Sequence, residues 1–170
     1  LKMSSIKDLI EYKVKKEKLV KCVRTEDLKL SDKKKFKMFI YKNILDNTEH
    51  IALVKGKITK EKDILVRMHS LNIFSDLLNP KNHNLEKAID IISKNENGII
   101  VIIRNPKKEL QVKEDKTKII NNNKILKEYG IGAQILTDLG AKKIKLLTSS
   151  SKNIVGIDGF GLEINGTKKL

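Results

Sequence analysis

With 170 residues, the chain has the size of one ordinary domain and can bury a core that needs no covalent staples. Its formal net charge of +15 comes almost wholly from lysines spread along the chain, and aromatic residues make up only 4%. This composition predicts a solvated lysine surface and argues against nucleic acid as a partner, because such binding needs a basic stripe or a stacking platform. The single cysteine excludes an internal disulfide and any cysteine-rich zinc site.

The first half of the chain predicts a helix followed by several strands. Ser4 and Ser5 are candidate caps for a helix over residues 6–18. Alternating apolar residues then predict strands over residues 19–30, 36–41, 50–58 and 64–68. Because short polar turns join these strands, we expect them to form an antiparallel or mixed sheet.

The second half predicts alternating helices and strands. An irregular, asparagine-rich segment covers residues 71–84, and a helix is predicted over residues 85–94. The apolar run Ile99–Ile103 is typical of a central strand buried on both sides. Residues 105–118 are charged and patternless, which predicts an exposed loop. A helix over residues 119–128 and a short final strand over residues 162–164 complete the prediction.

The stretch from Tyr129 to Ser151 has the clearest pattern. Apolar residues at helical spacing are followed by Gly140, which stands where a helix C-cap glycine belongs. A short apolar strand over residues 144–147 then ends in the polar turn 148–152. Because α/β folds bind their ligands at the carboxyl ends of such strands, this turn is a candidate ligand-binding corner.

Nothing in the sequence predicts a membrane segment or a secretory signal. The longest apolar run, residues 99–103, is far too short to span a bilayer, and the first residues lack an apolar signal core. Together with the single cysteine, which suits a reducing compartment, these features predict a cytoplasmic protein with no membrane partner.

Four segments in the same order resemble GTP cyclohydrolase II, the enzyme that opens riboflavin biosynthesis. They are residues 50–58, 64–70, 129–136 and 159–164, of which 129–136 is the most specific. The resemblance implies an α/β (α+β) fold: a mixed sheet with antiparallel N-terminal strands and helices packed on it.

Residues 5–12 are similar to the end of 3,4-dihydroxy-2-butanone 4-phosphate synthase, which many bacteria fuse in front of the cyclohydrolase. The resemblance thus implies a tail or linker from a preceding synthase domain over residues 1–18, and a GTP cyclohydrolase II-like domain over residues 19–170. It also implies the synthase domain and a second copy of the chain, in a homodimer, as partners.

The chemistry of the family requires a zinc ion held by three thiolates, with one position left open for water. The resemblance places Leu71 at the family's glutamate and Asn72 at its first cysteine, and no cysteine follows in this loop. We therefore expect the family zinc to be absent, and no cofactor in its place. His69, Asp76 and His83 lie in the same loop, but their spacing favours ordinary solvated side chains over a replacement metal site.

Other catalytic elements of the family are also missing. In the phosphate-binding loop only Arg104 matches, because Pro106 and neighbouring residues replace glycines that would let the backbone approach a phosphate. Ile125 and Lys127 occupy the positions of the catalytic aspartate and arginine. The residues that could still contact a nucleotide or phosphate are Arg67, Arg104, Thr148 and Lys152.

The pattern of a retained scaffold without its chemistry predicts a domain with no catalytic residues. We expect it to give structural, dimerising or regulatory support to the synthase domain. The alternative is a nucleotide- or phosphate-binding module, or an enzyme with altered chemistry, on the same scaffold.

Overall fold

The computed structural model describes residues 16–79, 81–106, 110, 122–149 and 160–170. These residues form one mixed sheet with strand order β1-β2-β3-β5-β4-β6-β7. The strands are β1 (Val20–Ser31), β2 (Lys34–Asn43), β3 (Glu49–Lys55), β4 (Asp63–Ser70), β5 (Gly98–Ile103), β6 (Lys143–Thr148) and β7 (Glu163–Lys169). The helices are α1 (Asn84–Ser93) and α2 (Asn122–Asp138), and a π-helical turn covers Phe74–Leu78.

The sheet changes from antiparallel to parallel along its width. β1, β2, β3 and β5 pair antiparallel in turn, whereas β5, β4, β6 and β7 pair in parallel. Short turns join the first three strands, and α1 and α2 lie in the connections that lead to the parallel strands β5 and β6. The predicted α/β class and mixed sheet are confirmed.

The core lies on both faces of the sheet, and β5 contributes to both. All six residues of β5 are buried, as the apolar run predicts. Ile99, Val101 and Ile103 belong to the apolar cluster that includes α2, whereas Ile100 and Ile102 belong to the cluster that includes α1. The sheet is therefore the middle of three layers, and its central strand is apolar on both sides because both sides face a helix.

The stretch around α2 folds as its sequence predicts. Ala133, Ile135 and Leu136 are fully buried against the sheet. Gly140 has φ of 86°, and the backbone N–H groups of Gly140 and Ala141 bond to the carbonyls of Thr137 and Leu136. Only glycine adopts this left-handed conformation without strain, so the glycine ends the helix and turns the chain into β6.

Two elements differ from their predicted extents, and two predictions are not tested by the described residues. The predicted final strand of residues 162–164 is the start of the longer β7, whose polar residues pair with β6 at the sheet edge. The irregular segment contains the π-helical turn, which apolar periodicity does not reveal. The predicted helix over residues 6–18 and loop over 105–118 lie almost entirely outside the described residues.

A carboxylate at the end of α2 ties the helix to the first strands. Asp138 Oδ2 accepts a hydrogen bond from the hydroxyl of buried Tyr41 at 2.8 Å, and Oδ1 lies 2.5 Å from Lys18 Nζ. Burial, the hydrogen bond to Asp138 and its charge raise the pKa of Tyr41 above its ordinary range. Burial alone would raise the pKa of Asp138, but Lys18 and Tyr41 outweigh it and lower that pKa overall.

This arrangement predicts a pH-dependent contribution to stability. Because the pKa of Asp138 is lower in the folded state, its contribution is fully present above the unfolded pKa of about 3.9 and is lost as the pH falls through the folded pKa. We expect Asp138→Asn to lower the free energy of unfolding by about 1 kcal/mol at pH 7 and by less at pH 3. Urea unfolding at both pH values measures this. Asp27→Asn, at an exposed β1 position, is the control, and an equal loss at both pH values would contradict the prediction.

Candidate functional site

The parallel strands β5, β4 and β6 are neighbours, and their carboxyl ends meet at one edge of the sheet. Ser70 at the end of β4 pairs with Ile103 at the end of β5, and β6 ends at Thr148. Ligands of α/β sheets bind at such edges, and the sequence also points to this corner. The loop after β4 is thus the first element of the candidate site.

The loop after β4 closes around the carboxylate of Asp76. Asp76 Oδ2 lies 2.8 Å from His69 Nε2 and accepts the backbone N–H of Asn72 at 3.0 Å. Its other oxygen accepts the side-chain amide of Asn82 at 3.4 Å. The side chains of His69 and Asp76 are only 7% and 5% exposed. The expectation that these two residues are ordinary solvated side chains is therefore wrong, because the loop folds back and buries both.

Asn72 completes the inside of this loop. Its side-chain oxygen accepts the backbone N–H of Ser75 at 2.8 Å, and its carbonyl accepts the N–H of Asp76 at 2.8 Å. Leu71, just before it, is held to the end of β5 by a 2.9 Å bond from its N–H to the Ile103 carbonyl. The two residues at the family's glutamate and first-cysteine positions thus have backbone or side-chain bonds within the local fold.

The donor groups at this edge do not fit a three-thiolate zinc site. Cys22, the one cysteine of the chain, is in β1 at the opposite side of the sheet order from β4. His83 does not join His69 and Asp76, because its Nδ1 lies 3.1 Å from Glu86 at the exposed start of α1. Among the described residues, no three His, Cys, Asp or Glu side chains come together in a way that could hold a metal ion.

Arg67 is the one predicted site residue whose side-chain bonding is defined. Its Nη1 donates to the Leu147 carbonyl at 3.1 Å, which links β4 to the end of β6. Its Nε is buried and has no hydrogen-bond partner within the described ranges. Burial lowers the pKa of the guanidinium, while nearby Tyr129 and Asp76 act in the opposite direction. Arg67 therefore supports the strand ends and retains one unused donor.

The other predicted site residues are distributed along the same edge. Arg104 directly follows β5, and its N–H donates to buried His50 Nδ1 at 3.2 Å. Thr148 ends β6, and its carbonyl accepts the N–H of Leu170 at 2.9 Å. Lys152 lies outside the described residues. The topology thus brings Arg67, Arg104 and Thr148 to adjacent strand ends, as predicted, whereas their role in binding stays a prediction.

Glu128 is a site residue that the sequence analysis missed. Located in α2, it accepts the side-chain amide of Asn105 at 3.0 Å and lies 3.4 Å from the hydroxyl of Ser70. One carboxylate therefore connects α2 with the segments after β4 and β5. No local pattern could have identified it, because its partners are 23 and 58 residues away along the chain.

The fold and this edge define a three-layer α/β domain with a polar corner at the ends of its parallel strands. The sequence profile of the GTP cyclohydrolase II family matches residues 21–169. The chain belongs to the GTP cyclohydrolase II family, as the sequence analysis predicts. None of the described helices is both long and apolar enough to cross a lipid bilayer.

Several relatives of this chain are riboflavin-biosynthesis proteins. It is 37% identical over 178 residues to the monofunctional riboflavin biosynthesis protein RIBA 2, chloroplastic, of Arabidopsis thaliana, covering 98% of this chain and 37% of that protein. It is 34% identical over 176 residues to 3,4-dihydroxy-2-butanone 4-phosphate synthase of Photobacterium phosphoreum, covering 96% and 47%.

Among solved structures, the chain is similar to RibBX, a two-domain 3,4-dihydroxy-2-butanone 4-phosphate synthase from A. baumannii. The TM-score is 0.66 at 26% identity, and the match covers 96% of this chain and 44% of that one. The chain thus spans less than half the length of each of these three proteins.

Proposed function

We propose that this chain is a catalytically inactive GTP cyclohydrolase II-like domain that supports a 3,4-dihydroxy-2-butanone 4-phosphate synthase domain preceding it in the same polypeptide. It binds no zinc and releases no formate from GTP. It works in the cytoplasm, and it assists the synthase by folding, dimerising or regulating, with a homodimer as the assembly. Its contribution is a surface and a stable scaffold instead of a reaction.

The observation that carries the proposal is the loop after β4. Where the family needs a thiolate, Asn72 uses its side chain to bond Ser75, and the loop is closed by a buried His69–Asp76 contact. A buried hydrogen-bonded cluster of this kind holds a loop by itself, so the loop no longer depends on a metal for its structure.

The names of the relatives also support a synthase context. The Photobacterium protein and the A. baumannii structure are both named as 3,4-dihydroxy-2-butanone 4-phosphate synthases, and the latter is described as a two-domain synthase. In each case the match covers less than half of the larger protein, which leaves room for a synthase domain beside the matched region.

The inactivity is tested by incubating the chain with GTP, Mg²⁺ and Zn²⁺ and measuring formate and pyrophosphate. We expect neither product above the protein-free blank, because one cysteine cannot supply the three thiolates that activate the water. An active GTP cyclohydrolase II assayed in parallel is the positive control. Turnover at the rate of that control would overturn the proposal.

The supporting role is tested in the natural polypeptide that carries this chain. Removing residues 19–170 is expected to lower the thermal stability of the synthase, its assembly state or its activity, because the domain's surface is lost. Analytical ultracentrifugation, thermal unfolding and synthase assays measure these three properties. If all three are unchanged, the supporting role is wrong even if the domain is inactive.

One observation favours a second candidate function, the binding of a phosphate or nucleotide. The buried Nε of Arg67 has no partner among the described residues, and the strand ends beside it carry Arg104 and Thr148. An anion at this edge would use the unpaired donor. Calorimetry with GTP, GDP and ribulose 5-phosphate tests this, with Arg67→Lys as the matched variant. Absence of heat up to millimolar ligand would exclude it.

A further inference from the structure

We propose that α2 carries a binding site for the polypeptide segment that enters the domain, and that this site transmits the domain's support to the preceding chain. The site consists of Gln134 and Asp138, and the bound segment is residues 17–19. The part of the inference that concerns a synthase rests on the proposed function. The part that concerns the bound segment stands on the geometry alone.

Gln134 holds the backbone of the entering segment on both sides of Lys18. Its Oε1 accepts the N–H of Leu19 at 2.8 Å, and its Nε2 donates to the carbonyl of Glu17 at 2.9 Å. A carboxamide has one acceptor and a donor side by side, as a peptide group does, so it replaces a neighbouring strand for one residue. This contact reads the backbone and requires no particular side chain.

Asp138 holds the side chain of the same residue. It lies four residues after Gln134, which places the two side chains on the same face of α2. Its Oδ1 lies 2.5 Å from Lys18 Nζ, while the hydroxyl of Tyr41 fixes its Oδ2 from β2 at 2.8 Å. Because buried Tyr41 orients the carboxylate, the ion pair is part of a site with defined geometry, although Lys18 itself is exposed.

Leu19 is anchored from the opposite side. Its side chain is 3% exposed within the core, and its carbonyl accepts the N–H of Ile44 from the β2–β3 turn at 2.9 Å. Both backbone groups of Leu19 are thus bonded, one to α2 and one to that turn. The segment is fixed before β1 begins, which sets the position and direction in which the preceding chain meets the domain.

The site is tested first by hydrogen exchange in the chain itself. In Gln134→Ala the protection of the Leu19 amide is expected to fall about tenfold, since its acceptor is removed, and that of Val101 in β5 is expected to stay unchanged. Gln134→Glu keeps the acceptor and is expected to retain most of the Leu19 protection. Unchanged protection in Gln134→Ala, or an equal fall at Val101, would overturn the site.

Two further variants keep the test valid if Gln134→Ala folds poorly. Lys18→Met removes the charge of an exposed residue without a cavity, and it is expected to lower the protection of Leu19 by a smaller factor than Gln134→Ala. Lys87→Ala on the exposed face of α1 is the control and is expected to change nothing. An effect of Lys87→Ala equal to that of Lys18→Met would count against the proposal.

The transmission is tested in the natural polypeptide with Gln134→Ala combined with Asp138→Ala. We expect this double variant to reproduce part of the change in synthase stability or assembly that deletion of residues 19–170 causes. A deletion effect without any effect of the double variant would overturn the transmission and leave the proposed function standing. If the deletion itself has no effect, the proposed function fails, and the exchange of Leu19 still decides whether the segment is bound.

Discussion

Replacing Asp76 by alanine is expected to lower the free energy of unfolding by about 3 kcal/mol. The carboxylate accepts bonds from Asn72 and Asn82 and contacts His69, and its side chain is 5% exposed. Its removal leaves the ring of His69 and the N–H of Asn72 buried without this acceptor. The cost of such unpaired groups exceeds the value of any single bond, which is why this polar substitution should rank with a core truncation.

Urea unfolding followed by far-ultraviolet circular dichroism measures this loss, since the chain contains no tryptophan. Glu86→Ala is the matched control, because it removes an exposed carboxylate from His83 and is expected to change stability by less than about 0.5 kcal/mol. If Asp76→Ala is as mild as Glu86→Ala, then the cluster does not hold the loop. The main structural support for the proposed function would then be lost.

Replacing Gly56 by alanine is expected to cost about 3 kcal/mol, because strain and a backbone collision add. Gly56 follows β3 with φ of 68°, and a Cβ atom built there would lie 2.1 Å from the carbonyl oxygen of Glu96. That oxygen belongs to the turn just before β5. Neither the turn nor the end of β3 can move without disturbing the pairing of Lys55 with Gly98.

Gly140→Ala separates the two effects. Gly140 also has a positive φ, of 86°, but nothing lies within 4 Å of a Cβ built on it. Only the conformational strain remains, so a loss of about 1 kcal/mol is expected. Thermal and urea unfolding of both variants measure the difference. Equal losses would show that the approach of Glu96 to Gly56 is not a constraint in solution.

The loop after β4 shows how a family scaffold can be kept while its chemistry is replaced. The resemblance alone says that thiolates are missing, which leaves open whether the loop becomes irregular. The structure shows a closed cluster around Asp76 with Asn72 on its inner side. Loss of a metal and gain of an internal hydrogen-bonded cluster together explain how the loop can remain ordered in an inactive domain.

Local patterns were sufficient for the scaffold. The apolar run of β5, the helical spacing in α2 and the glycine that ends α2 were all predictable, because each depends on neighbours within a few residues. The shorter prediction for the last strand failed because β7 continues through polar residues, Asn165 to Lys169, whose pairing depends on β6. Polar strands at an edge carry no apolar alternation to detect.

The sequence by itself determined the family, the mixed α/β fold and the absence of three thiolates, since these depend on residue identity and order. Only the tertiary structure decided which polar side chains are buried and what they bond. Gln134 and Leu19 are 115 residues apart, and Glu128 and Ser70 are 58 apart. A polar side chain acts through the group it faces, and folding, not local sequence, brings that group to it.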